Sequence, residues 1–177
     1  TEFKAESSWD ALFGVTLNKV ESSHFRIESP YPVPELMEYV AAAETAYAYY
    51  LLDFGRDATE NVFGGAQATF VVMKDDAQWN KFVDTMGGSD LEFTRKMSGT
   101  GDGMLLHGIR TTASSAAGRK DHIVHQAVHM LNKYVWNVRG THARVDEGLA
   151  YYYTLKVLES TATFCVALKH GNYAKPG

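Results

Sequence analysis

The chain has 177 residues, 45% of them hydrophobic and 21% charged, with a formal net charge of -4. That length supports one domain with its own core, the acidic balance offers no basic stripe for a nucleic acid, and no apolar run reaches the length of a bilayer span. A single cysteine, Cys165, excludes an internal disulfide and every multi-cysteine zinc pattern, so a metal would have to be held by His, Asp or Glu.

The first twenty residues show no clean period, although Trp9, Leu12, Phe13 and Val15 form an apolar lead-in. Residues 24–28 alternate polar and apolar, which predicts a half-buried strand. Pro30, Pro32 and Pro34 then break regular structure and place a helix start near Pro34 or Glu35. From 35 to 54, Leu36, Tyr39, Val40, Ala43, Ala46, Tyr47, Tyr50 and Leu51 recur at helical spacing, and Gly55 follows as a stop. This aromatic stripe reads as core. Gly64-Gly65 is a turn. Residues 66–73 predict a strand buried on both faces. Asp75 or Asp76 caps the next helix, 77–86, and Gly87-Gly88 ends it. Residues 87–103 read as a surface loop with one short element around 91–93, and 104–112 as a third strand. A polar linker, 112–118, leads to helices over 120–136 and 144–160, and 162–168 could extend helix. Strands alternating with helices predict an α+β or α/β start with two strands adjacent. Residues 1–177 are expected to form a single domain, and Cys165 reads as a small buried hydrophobe.

The informative stretch is Asp121-His122-Ile123-Val124-His125-Gln126-Ala127-Val128-His129. His125 and His129, four residues apart on a helix, share one face one turn apart, a spacing that lets two imidazoles hold one ion. The pair alone is not specific, because solvated or core histidines produce it too. Glu147 follows eighteen residues later, in Val145-Asp146-Glu147-Gly148-Leu149-Ala150, where a second helix opens. A returning helix would bring Glu147 beside the pair. Two histidines and a carboxylate leave one zinc position open, the catalytic rather than the structural arrangement.

This region resembles the gluzincins, the thermolysin-like zinc peptidases of the peptidase MA clan. Their signature is a His-Glu-x-x-His helix followed by a glutamate ligand, often in an Asp-Glu-Gly context, and Asp146-Glu147-Gly148 fits it. The resemblance implies an α+β fold with a small mixed sheet, a zincin-like active-site helix and a following helix that bears the glutamate, with Zn2+ on His125, His129 and Glu147, and peptide or protein as the partner. It also implies that the strand ahead of the active-site helix pairs with bound substrate, which places Met104, Leu105 and Leu106 at the substrate. Gluzincins commonly build more of their cleft after the glutamate helix, and only thirty residues follow Glu147 here. The start at Thr1 and the tail Lys175-Pro176-Gly177 read as an excised or processed chain, with an extracytoplasmic location favoured and a truncated C-terminus expected.

One position departs from the signature. The family's glutamate takes a proton from the attacking water and delivers it to the leaving amine. Position 126 is glutamine, which has nearly the same shape and hydrogen-bonds but accepts no proton. A natural inactive relative, an engineered substrate trap, and another residue acting as base are the three explanations. The expectation is thus a peptidase scaffold with impaired catalysis, or a pseudopeptidase that only binds. Asp146 would either accept a hydrogen bond from the non-metal nitrogen of a ligand histidine or cap the second helix. Tyr151, one turn from Glu147, would be a donor to a developing oxyanion, although the run Tyr151-Tyr152-Tyr153 reads first as packing. His122 reads as solvent-facing near the helix start, and His142 as an exposed loop residue; His107 and His170 have no evident partner.

Overall fold

The computed structural model describes residues 8–102, 104–111, 115–136 and 143–159. His142, Cys165, His170 and the expected helix extension over 162–168 lie outside them. The elements in chain order are α1 (Ser8–Phe13), β1 (Asn18–Glu21), β2 (Phe25–Ser29), α2 (Val33–Asp53), β3 (Ala68–Met73), α3 (Asp76–Met86), α4 (Leu91–Arg95), β4 (Gly99–Gly101), β5 (Leu106–Arg110), α5 (Ala116–Trp136) and α6 (Ala143–Leu158).

The strands form one sheet in the order β1-β2-β3-β5-β4. β2, β3 and β5 run parallel, and β1 and β4 are antiparallel to their neighbours, so the sheet is mixed and the fold is α+β. β3 is the central strand. Its even residues Ala68, Phe70 and Val72 face the larger core, which α2, α5 and α6 complete. Its odd residues Val71 and Met73 face a smaller core with Phe13, Trp79, Phe82 and Val83. This period of two explains why the continuous apolar run had to be buried on both faces.

Local chemistry sets the ends of these elements. Asp75 accepts from the Gln78 amide at 2.9 Å and so caps α3. Gly87 ends α3 at φ +70, a conformation that costs glycine little. α2 starts at Val33, just after the extended Pro32, and buries the whole predicted stripe from Leu36 to Leu51. α5 begins at Ala116, four residues earlier than the sequence indicates, so the end of the expected linker is helix. β5 begins at Leu106, not at 104, and β1 and β4 fall where no strand was expected. No described helix is long and apolar enough to cross a membrane.

Candidate metal centre

α5 lies between the sheet, α2 and α6, and His125 and His129 point from it toward α6. The contacts Asn132 to Asp146, His129 to Glu147 and His125 to Tyr151 pair falling with rising residue numbers, so the two helices run in opposite directions. This is the return that brings Glu147 to the histidine pair. His125 is fully buried, while His129 and Glu147 are half-buried.

The three donor groups converge. His125 Nε2 and His129 Nε2 are 3.2 Å apart. Glu147 Oε2 lies 3.3 Å from His125 Nε2, and its Oε1 lies 3.6 Å from His129 Nε2. Ligand atoms about 2.0–2.1 Å from one tetrahedral ion stand roughly 3.3 Å apart, so the spacing fits a shared ion. Glu147 Oε2 is buried and accepts no hydrogen bond among the described residues. A buried carboxylate oxygen in that condition is costly unless a cation satisfies it. The group His125, His129 and Glu147 could therefore hold a metal ion.

A chain of hydrogen bonds orients the second histidine. Tyr50 Oη donates to Asn132 Oδ1 at 2.6 Å, and Asn132 Nδ2 donates to Asp146 Oδ1 at 2.6 Å. Asp146 Oδ1 also lies 2.9 Å from His129 Nδ1. With Nδ1–H donating to the carboxylate, His129 presents the Nε2 lone pair to the ligand group. Burial pushes the Asp146 carboxyl up, but the hydrogen bonds from His129 and Asn132 outweigh it and hold it below its ordinary value. Both roles foreseen for Asp146 involve a hydrogen bond, and the geometry selects the one to the histidine. Asp146→Ala should weaken metal affinity by about 10- to 100-fold. Competition titration against a chelating dye measures this; unchanged affinity would show that the orientation of His129 does not depend on Asp146.

Beside the group lies a cavity of about 300 Å³, lined in part by Met104, Leu106, His107, Gln126, His129 and Lys133. The strand expected to pair with substrate, β5, is hydrogen-bonded on both sides, to β3 and to β4, so its edge is not open to a peptide backbone. Of the three residues expected at the substrate, Met104 and Leu106 border the cavity. Leu105 instead packs against the larger core, because the chain turns before β5 begins and the strand face is set from Leu106 onward. Gln126 sits in the cavity wall and is buried. The Tyr151 ring meets the His125 ring edge-on, with centroids 4.8 Å apart. Tyr153 is core, and its hydroxyl donates to Asp53 at 3.1 Å.

Two histidines differ from their sequence reading. His122 is buried rather than solvent-facing, and its ring lies 5.8 Å from that of His107. The early start of α5 puts His122 in the second helical turn, and the alternation of β5 turns His107 and Ile109 toward α5. Gly99 on β4 makes room for both rings. A Cβ there would come 2.5 Å from His107 Nε2 and 3.0 Å from His122 Nε2. The alternation of His107 with Ile109 was the sequence signal for this neighbour.

Burial, and then the neighbouring His125, push the His122 imidazole down to about 4; burial also holds His107 well below its ordinary value. Burial thus favours the neutral form of both imidazoles near neutral pH. Between pH 6.5 and about 4 the unfolded chain protonates His122 and the folded chain does not. Unfolding takes up a proton in that window, so stability falls as pH falls. His122 should contribute a loss of about 3 kcal/mol across it. Urea unfolding of the metal-free protein at several pH values should show a shallower pH slope in His122→Gln; parallel slopes would contradict this.

Comparison of the chain with protein-family models, with curated proteins and with solved structures returned no match.

Proposed function

We propose that the chain is a gluzincin-like zinc metallopeptidase scaffold, with zinc held by His125, His129 and Glu147 and catalysis impaired at Gln126. The observation that carries this reading is the convergence of two imidazole nitrogens and one carboxylate at the spacing of a tetrahedral ion. Zinc bound there would polarise a carbonyl oxygen as a Lewis acid. The protein's own groups have separate tasks. Asp146 holds His129 in one tautomer. Met104 and Leu106 give the cavity an apolar wall for a peptide segment. Tyr151, whose ring packs against His125, would donate to a developing oxyanion. Gln126 hydrogen-bonds but takes up no proton.

Gln126 itself favours a second reading, a pseudopeptidase that binds a peptide or protein without turnover. Both readings place the ligand in the same cavity. Equilibrium capture of a peptide library by the zinc-loaded protein, read together with product formation, tests them. Capture that is lost on chelation, with slow or no cleavage, is expected. Capture indifferent to chelation would remove the metal from the function.

A further inference from the structure

Lys133 sits one helical turn beyond His129 on α5 and shares its face. It lines the same cavity as Gln126 and His129. Its described polar contact is a thioether: Nζ lies 3.1 Å from Met104 Sδ, a weak acceptor. Lys19, Lys96, Lys120 and Lys156 each meet a carboxylate; Lys133, like Lys74 and Lys81, forms no ion pair among the described residues, and of these three it is Lys133 that lines the cavity.

The nearby carboxylates are committed elsewhere. Asp146 is shared between His129 and Asn132, and Glu147 faces the two imidazoles. Asp102 accepts from the backbone amides of Met104 and Leu106 at 2.6 and 3.1 Å. Among the residues that line the cavity Lys133 is the cation and Asp146 the anion, and Asp146 is already held by His129 and Asn132. The Lys133 ammonium is the charge this part of the cavity offers a ligand. A half-enclosed space walled in part by Met104, Leu106 and Met130 strengthens the attraction of that charge for an anion.

We propose that Lys133 is a specificity-determining residue that receives a carboxylate of the bound ligand, about one helical turn (~6 Å) from the metal ligands. The inference rests on the metal reading above. A cavity of about 300 Å³ holds a group of small-molecule size, so the carboxylate is expected within about one residue's length of the group that meets the ion. On a peptide it is either the free C-terminus or an acidic side chain; both present the same acceptor to an ammonium.

The test uses two succinyl monohydroxamates that share a metal-chelating head. One ends in a carboxylate, the other in a carboxamide. Isothermal titration of the zinc-loaded chain should show the carboxylate form binding about tenfold or more tighter, the increment of a charge-assisted hydrogen bond. Lys133→Gln should remove that preference while the protein retains its zinc. Lys133→Glu should reverse it, so that a hydroxamate ending in an amine binds tighter than the carboxylate form. Equal binding of the two forms by the native chain, or a preference that survives Lys133→Gln, would overturn the role of Lys133 and leave the metal reading standing. Binding of neither form would overturn both. Amidated peptides with an acidic side chain, set against neutral peptides with a free C-terminus, then identify the source of the carboxylate.

Discussion

Replacing Gln126 with glutamate should raise peptide hydrolysis by the zinc-loaded protein by about 10²–10⁴-fold, the usual worth of a positioned general base. Gln126 adjoins His125 in sequence and lies in the wall of the cavity. A glutamate there changes little in shape and supplies the missing proton acceptor. The position is only 7% exposed, so burial would lift its carboxyl toward neutrality, where a base works best. Initial rates on a broad peptide library, with zinc content measured in parallel, check this. A variant that binds zinc fully and cleaves nothing would remove the peptidase reading and leave the binding module.

Glu147→Ala should lower zinc affinity by about 10²-fold or more. Structural zinc sites are worth roughly 10–16 kcal/mol over four ligands, so one ligand accounts for about 3 kcal/mol. The carboxylate's described ion-pair partners are His125 and His129, and it lies half-buried near the start of α6. Its loss should therefore leave the fold intact, which thermal unfolding of the metal-free variant confirms or denies. Gln at the same position keeps the shape and loses the charge, and should fall between the two. Unchanged affinity in Glu147→Ala would take this residue out of the site.

Much of this was legible in the sequence, for identifiable reasons. The α2 stripe and the β3 run carry strong apolar patterns, and each is buried as its period requires. The convergence of His125, His129 and Glu147, a group that could hold a metal ion, was legible because a four-residue histidine spacing and a following Asp-Glu-Gly are local signals. β4 was not, because Gly-Thr-Gly carries no side-chain pattern. Its glycines answer to β5: a Cβ at Gly101 would come 2.1 Å from the Leu106 carbonyl oxygen, and one at Gly99 would strike the His107 ring. The choice of His129 as the partner of Asp146 depended on where Asn132 and Tyr50 meet it across three helices. The burial of His122 depended on a helix start whose cap, Ser115, accepts from the Gly118 amide at 3.1 Å but stands in a polar run that reads as linker. Lys133 was missed although its four-residue spacing from His129 was visible, because only the packing of Met104 and the commitments of Asp102 and Asp146 show that no carboxylate takes it.

The most direct test of the central claim is the metal content of protein purified without a histidine tag and equilibrated with limiting zinc. The account predicts about one zinc per chain, and none above background in the double variant His129→Ala/Glu147→Ala. Equal zinc in the two proteins, or none in the native chain, would contradict it.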